Sequence, residues 1–318
     1  MRKSMIGLAI AAALAIPAGA MAQGQQFVNI LTGGTSGVYY PLGVAMSQIY
    51  NEKIDGVRAS VQSTRASVEN LNLVQNGRGE LALALGDSVA GAWEGDAEIG
   101  FDKKLDKIRG VSALYPNFIQ IVASKESGIK TLADLKGKRV SVGAPRSGTE
   151  VNARRLLGAA GLTYDDFGRT EYLPFGESVE LIKNRQIDAT LQSVGLGAAS
   201  IRDLASAVDI TVVEIPADVV AKVGSPAFIA ATIPANTYDG QTEDVQTAAI
   251  VNILITSADL PEELVYAMTK HLHESRDTLV NAHAAAKGIT LDGALKAMPV
   301  PLHPGAARYY KEKGMAMQ

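Results

Sequence analysis

The chain has 318 residues, of which 47% are hydrophobic, so it is long enough to bury one large core or two ordinary ones. It contains no cysteine, which excludes disulfide bonds, thiolate nucleophiles and Cys-ligated metals. The formal net charge is −3, with both signs mixed along the chain and no basic run, so nucleic acid is not an expected partner.

The first 22 residues have the pattern of a secretory signal peptide. Two basic residues at 2–3 precede an apolar run at 5–16, and Ala-Met-Ala at 20–22 supplies small residues for cleavage. The apolar run is too short to span a bilayer. We therefore expect cleavage after Ala22 and a mature periplasmic protein that is not embedded in the membrane. An uncleaved anchor helix is the alternative.

A strand, a glycine-rich loop and a helix start follow one another at residues 27–53. The apolar run Phe27–Leu31 predicts a short buried strand, residues 32–37 hold three glycines and three hydroxyl residues, and Val38–Lys53 has helical apolar spacing. Glycines let the backbone approach a ligand, and the N–H groups at a helix start attract anions. The stretch indicates a site for phosphate or carboxylate. A tight turn that binds nothing is the alternative.

The same order of strand, polar loop and helix start occurs twice more. The strand at 57–62 leads to Ser63–Asn70, where Ser63 or Thr64 can cap a helix that continues to about residue 75. The apolar strand at 81–85 leads directly to Gly86–Ser88 at the head of another helix. Alternating strands and helices predict a mainly parallel sheet, in which ligands bind beyond the carboxyl ends of the strands. We expect the three loops to converge on one edge.

A later stretch, residues 140–160, repeats this design around an arginine. A strand at Val140–Gly143 is followed by a loop with Arg146 and by a helix that reaches Ala160. Arginine binds carboxylates in a specific bidentate geometry. The sequence pattern also predicts the elements on either side of this stretch. Before it, residues 93–107 should form an exposed excursion, and residues 108–114 and 118–124 two strands. After it, the pattern predicts helices at 177–185, 196–207 and 261–287, strands at 187–192, 209–215, 227–233 and 247–255, and a short helix in the tail.

This order of elements predicts an α/β fold of two lobes. The first lobe takes residues 27–117 and 234–318, and the second takes residues 118–230. Strands near 118–124 and 227–233 would cross between them. Two lobes joined by two crossover strands form a hinge with a ligand cleft between them.

Six segments, in this order over essentially the whole mature chain, carry a family resemblance: Thr32–Pro41, Ser63–Asn70, Asp134–Val140, Gly148–Glu150, Leu264–Tyr266 and Leu302–Ala306. They resemble the TAXI solute receptors, the extracytoplasmic binding proteins associated with TRAP transporters. The resemblance implies a type II periplasmic-binding-protein fold and delivery of a solute to the subunits of an ion-driven TRAP permease. It also implies a small carboxylate as ligand, such as glutamate, glutamine or a C5 dicarboxylate like 2-oxoglutarate.

Twelve residues in the expected cleft loops are candidate ligand contacts. They are Thr35, Ser36, Tyr39, Thr64, Arg65, Ser67 and Asp87 in the first lobe, and Arg146, Ser147, Gly148, Thr149 and Ser193 in the second. Hydroxyl and backbone N–H groups would bind one carboxylate, and Asp87 would receive an ammonium group or orient a neighbour. Helix capping is the alternative for Asp87, Ser147 and Thr149. Arg65 and Arg146 stand where the family often has glycine, so they favour dicarboxylates or else face solvent.

No metal, cofactor or enzyme activity is expected. His271 and His273 lie two apart on a predicted helix and point to different faces, so they cannot share a metal. Gly195-Leu196-Gly197 lacks the rest of a dinucleotide-binding fingerprint. The sequence offers no assembled acid, base and nucleophile for catalysis. We expect a monomeric receptor whose lobes close on the ligand. A periplasmic ligand-sensing subunit of a signalling system on the same fold is the alternative.

Overall fold

The structure is a computed structural model that describes residues 25–316. The expected signal peptide and its cleavage site lie outside the described residues. Within residues 25–316 no helix combines the length and the apolar character needed to cross a membrane.

Residues 25–316 contain ten strands, and all of them belong to one sheet. The strands are β1 (Gln26–Leu31), β2 (Val57–Gln62), β3 (Leu81–Leu85), β4 (Ile108–Ser124), β5 (Arg139–Ser141), β6 (Arg169–Glu171), β7 (Ala189–Val194), β8 (Ile210–Val213), β9 (Ile229–Ile233) and β10 (Val245–Ser257). Their order across the sheet is β2-β1-β3-β10-β4-β7-β5-β6, with β8 paired to β4 and β9 paired to β10.

Ten α-helices in the same range pack against this sheet. They are α1 (Tyr39–Lys53), α2 (Ser67–Gln75), α3 (Gly86–Glu94), α4 (Gly148–Ala159), α5 (Phe175–Lys183), α6 (Ala199–Ala207), α7 (Ala217–Lys222), α8 (Glu262–Glu274), α9 (Arg276–Ala282) and α10 (Pro304–Glu312). Short 3-10 turns connect several of them.

Two parallel units are joined by two long antiparallel strands. In the first unit β1 runs parallel to β2 and β3, and in the second β5 runs parallel to β6 and β7. Between them β10 pairs antiparallel with β3 and β4, and β4 pairs antiparallel with β7. The parallel strands are covered by helices as parallel sheets require; every residue of β3, for example, is buried.

The crossing strands differ from the sequence prediction. Residues 108–124 form one continuous strand instead of two, because Pro116 lies at an irregularity of the β4–β10 ladder, where a missing N–H is tolerated. The second crossing strand is β10, whereas the expected crossover at 227–233 forms β9, which pairs with the first part of β10.

The structure also corrects the predictions for residues 93–107 and 261–287. The excursion at 93–107 is not simply exposed, because Ile99, Phe101 and Leu105 are buried in a cluster with α2 and β3. The helix expected over 261–287 is interrupted: α8 ends before Ser275, and α9 ends before His283, whose backbone is extended.

Candidate functional site

A cavity of about 670 Å³ lies between the loops of the two parallel units. One wall is formed by residues 33–39 after β1 and residues 63–67 after β2. The other is formed by Ala144 and residues 147–149 after β5, by residues 173–177, 180 and 181 around the start of α5, and by residues 193–194 at the end of β7. The cavity therefore lies where strands of both units end, as expected for ligand sites in α/β folds.

Four helix N-termini open onto the cavity. Val38, Ala66, Ser147 and Pro174 are the residues that precede α1, α2, α4 and α5, and all four line it. The starts of α1, α2 and α5 have no side-chain cap. First-turn N–H groups have no partner within a helix and carry the positive end of its dipole. The cavity is therefore electrostatically suited to an anion.

The start of α4 is capped, and it still leaves donors for a ligand. Ser147 Oγ accepts a hydrogen bond from the backbone N–H of Glu150 at 3.1 Å, which confirms the capping interpretation for Ser147. This cap leaves the N–H groups of Gly148 and Thr149, which both line the cavity, for another acceptor.

The start of α2 has an unusual backbone. The prediction that Ser63 or Thr64 caps α2 is wrong: Ala66 precedes the helix with φ +68°, and Thr64 Oγ1 accepts from the Ala66 N–H at 3.0 Å. A non-glycine residue in this conformation is uncommon and is enriched where a backbone is held for function. Ser67 Oγ accepts from the backbone N–H of Leu85 at 3.1 Å, so α2 is tied to β3.

The two walls touch each other beside the cavity. A Cβ atom placed on Gly148 would lie 2.5 Å from Ser67 Oγ, so the starts of α4 and α2 approach more closely than a larger residue at 148 would permit. The backbone N–H of Ser200 donates to the carbonyl of Ser36 at 3.1 Å. The glycine-rich loop is thus in contact with the opposite unit.

Ser193 is a buried cavity residue with unused hydrogen-bonding capacity. Its side chain is 4% exposed, and its Oγ has no hydrogen-bond partner among the described residues. A buried hydroxyl without a partner is costly, so this oxygen has capacity for a further hydrogen bond.

Charged side chains are few in the lining. Arg65 is paired with Glu69 through Nε and Nη2, each 3.1 Å from a carboxylate oxygen, and its side chain is 47% exposed. The guanidinium lowers the pKa of Glu69 below its usual range. Glu177 and Glu180, both exposed, are the other charged residues of the lining.

Two of the twelve candidate residues, Asp87 and Arg146, lie outside the lining. Asp87 is 2% exposed; its Oδ2 accepts from Asn152 Nδ2 at 2.8 Å and lies 3.5 Å from Arg155 Nη1. Burial raises the pKa of Asp87 to about 6. The geometry does not favour Asp87 as the partner of a ligand ammonium group, because its neighbours are the side chains of α4.

Arg146 is exposed and adopts φ +61°, a conformation that favours glycine. Its charge helps to lower the pKa of Glu69 on the opposite unit. The solvent-facing alternative describes this residue better than a cavity contact.

The structure brings the other ten candidates together around the cavity: Thr35, Ser36, Tyr39, Thr64, Arg65, Ser67, Ser147, Gly148, Thr149 and Ser193. Sequence reasoning missed Asn117 on β4 and the segment from Leu173 to Leu181. The signal for that segment was present, because the loop at 172–174 again joins a strand, β6, to a helix start, that of α5. It lacks the serine and threonine residues that marked the other loops.

Comparison with known proteins shows the family of the chain and its fold. The model of the NMT1-like family matches residues 30–314. The solved structures that match include PhnD1 from Prochlorococcus marinus in complex with methylphosphonate, with 11% identity, a TM-score of 0.55, and coverage of 84% of this chain and 92% of that one. They also include a binding protein component of an ABC phosphonate transporter from Pseudomonas aeruginosa, with 12% identity, a TM-score of 0.53, and coverage of 84% and 80%.

A third match is a protein described as a periplasmic transporter, with 14% identity, a TM-score of 0.51, and coverage of 92% of this chain and 93% of that one. At such identities these matches establish the fold. They confirm the expected α/β architecture of a type II periplasmic binding protein.

The family expectation is corrected by the same findings. The matching family model is the NMT1-like family, and the similar structures include a component of an ABC transporter. The assignment to TAXI receptors is therefore wrong, and with it the expectations of a TRAP permease and of glutamate as the ligand.

Proposed function

The chain belongs to the NMT1-like family, and from this premise we propose that it is a periplasmic solute-binding protein that carries a small organic oxyanion to an ABC-type permease. The named relatives that bind methylphosphonate or belong to an ABC phosphonate transporter support the ligand class and the partner. The observation that carries the proposal is the convergence of four helix N-termini on one cavity, beside the unpartnered hydroxyl of Ser193.

The donors of the cavity favour a ligand with a single negative charge. N–H dipoles and hydroxyls stabilise an anion without supplying a full opposite charge. Arg65, the one cation of the lining among residues 25–316, is already paired with Glu69, while Glu177 and Glu180 add negative charge. A second charge on the ligand would lack a partner and would meet these carboxylates. We therefore expect monoanions to bind better than dianions of similar size.

The rest of the lining favours an organic group attached to the oxyanion. Val38, Leu85, Leu173, Phe175 and Leu181 contribute apolar side chains, and the cavity volume falls within the usual range for small-molecule sites. Burial of apolar ligand surface contributes roughly 25 cal/mol for each Å². A sulfonate or phosphonate with an alkyl chain of a few carbons, such as butyl, should bind better than the corresponding methyl compound.

A calorimetric and thermal-shift panel tests the proposal. Methanesulfonate, butanesulfonate, methylphosphonate, butyrate and succinate are titrated into the mature protein, and the melting temperature rises with any ligand that binds the folded state. We expect butanesulfonate to bind best and succinate to bind worst. The Ser193→Ala variant should bind more weakly, while Ser206→Ala, which changes an exposed serine on α6, should match the wild type. No response to any anion would contradict the proposed function, and tightest binding of succinate would contradict the charge preference.

A further inference from the structure

The strand crossing between β4 and β10 contains a break in its register. Val251 is opposite Pro116, but Ile253 is opposite Ala113, so β4 contributes an extra residue at this point. Pro116 has no N–H to donate. Asn252 lies within the break, is fully buried, and donates from Nδ2 to the carbonyl of Tyr115 at 2.7 Å. Its side chain thus supplies a hydrogen bond across the irregular crossing.

Asn252 also holds one wall of the cavity. Tyr39, which is buried at the start of α1 and lines the cavity, donates from its hydroxyl to Asn252 Oδ1 at 2.5 Å. Burial raises the pKa of Tyr39 well above its ordinary value, so the hydroxyl remains protonated and available as a donor.

The other wall is reached through a second amide. Asn252 Nδ2 donates to Asn117 Oδ1 at 2.8 Å, and Asn117 Nδ2 donates to the carbonyl of Ser193 at 2.8 Å. Each amide accepts through oxygen on one side and donates through nitrogen on the other, so rotation of either amide by half a turn would break bonds at both ends. The series of hydrogen bonds from Tyr39 through Asn252 and Asn117 to Ser193 therefore permits only one orientation of each amide.

We propose that Asn252 is a positioning residue for the ligand cavity: it does not line the cavity, yet it fixes Tyr39 on one wall and, through Asn117, Ser193 on the other. Both walls are tied in this way to the crossing strands. The role rests on the proposed function in one respect, namely that the cavity is where the ligand binds.

The link between the walls is tested first in the protein without ligand, by the backbone amide NMR signals of Ser193 and Val194. Asn252→Asp keeps the size and the acceptor for Tyr39 but loses the Nδ2 group that donates to both Tyr115 and Asn117, and Tyr39→Phe removes only one hydroxyl. Both should shift the Ser193 and Val194 signals. Thr256→Val is the control, since Thr256 is a fully buried residue of β10 whose hydroxyl donates to the carbonyl of Glu80, away from the cavity. It should leave those signals in place.

Binding of butanesulfonate gives the second measurement. Ser193→Ala should weaken binding about fivefold in the wild-type background, as expected for one hydrogen bond. In the Asn252→Asp background the same substitution should change binding less than about twofold, because Ser193 is no longer held in place. If Asn252→Asp does not fold, Tyr39→Phe takes its place in this cycle. Thr256→Val should bind as the wild type does, even where it lowers the melting temperature.

The outcomes separate this role from the proposed function. Unmoved Ser193 and Val194 signals in both Asn252→Asp and Tyr39→Phe, or additive effects of the Ser193 and Asn252 substitutions, would overturn the positioning role. If no anion binds but those signals move, the positioning role stands and the proposed function fails.

Discussion

Asp87 is a buried carboxylate whose environment opposes its charge. The carboxylate is buried among Asn152, Arg155 and the start of α3, and burial raises its pKa from 3.8 to about 6. A raised pKa means that the folded protein binds the proton more tightly than the unfolded chain. The free energy of unfolding should therefore fall as the pH rises from about 4 to 6. Above pH 6 it should stay reduced by the full cost of burying the ionised carboxylate. Asp87→Asn removes this cost, so at pH 7 we expect a gain in unfolding free energy of about 3 kcal/mol.

Urea unfolding of the wild type and Asp87→Asn between pH 4 and 8 measures this effect, because groups other than Asp87 cancel in the difference. The exposed pair Asp218–Lys222 on α7 provides a control: Asp218→Asn should leave the free energy of unfolding essentially unchanged at every pH, because water screens the pair. Parallel pH profiles for the wild type and Asp87→Asn would show that Asp87 does not titrate as the geometry indicates.

Arg65 is expected to contribute little to ligand affinity despite lining the cavity. Its guanidinium is held by Glu69 and is about half exposed, and such ion pairs are worth less than about 1 kcal/mol. Arg65→Ala should therefore weaken binding of butanesulfonate less than about fivefold. A loss of tenfold or more in the calorimetric Kd would show that the guanidinium leaves Glu69 to bind the ligand.

The start of α4 makes one of the close contacts between the two walls. A Cβ at position 148 would lie 2.5 Å from Ser67 Oγ and 2.7 Å from Leu85 Cδ1. Gly148→Ala should force α4 away from α2, lower the unfolding free energy by about 1–3 kcal/mol, and weaken anion binding. Urea unfolding and calorimetry measure the two effects.

Gly158→Ala on the same helix is the matched control. Its Cβ would meet no atom within 4 Å, so it should stabilise the helix by about 0.5–1 kcal/mol and leave anion binding unchanged. If Gly148→Ala behaved like Gly158→Ala in both measurements, close contact between the helix starts would not be needed for binding.

The elements around the cavity were predictable to different degrees. The strands β1, β2 and β3 were found within a residue or so, because each is an apolar or alternating run followed by glycine or hydroxyl residues. The loop before α5 was missed as a site, since its helix start is marked by Pro174 and has no hydroxyl cap. The contact of Asn117 with Ser193 is a matter of pairing between distant strands, which local patterns do not reveal.

At the scale of the whole molecule, the sequence pattern predicted two strand-and-helix units, but it pointed to the wrong segment as the second crossing strand. Residues 227–233 and 245–257 are both runs of strand type, and which of them crosses is decided by pairing with β3 and β4. Continuity of β4 through Pro116 depends likewise on the irregular ladder with β10. Such choices are made by tertiary contacts, which override local propensity.

Ion pairs between α4 and the segment that contains α3 hold the two units together. Arg155 reaches Asp96 Oδ2 at 3.0 Å and Asp87 Oδ2 at 3.5 Å, and Arg154 Nη1 donates to the carbonyl of Glu98 at 2.6 Å. Arg155→Met keeps a long side chain and removes two pairs. Without ligand, small-angle scattering should then give a larger radius of gyration, since fewer molecules have the units in contact.

A smaller fraction of binding-competent molecules raises the apparent Kd in inverse proportion. A loss of about 1.4 kcal/mol of contact between the units lowers the ratio of closed to open molecules about tenfold, so butanesulfonate should bind Arg155→Met more weakly, by at most about tenfold. Saturating butanesulfonate should restore the wild-type radius, because a ligand that touches both walls favours the form in which they meet. Lys222→Met, which breaks an exposed pair within α7, should change neither quantity. If Arg155→Met changed neither the radius of gyration nor the Kd, the units would stay packed without these pairs. Their separation would then not affect ligand binding.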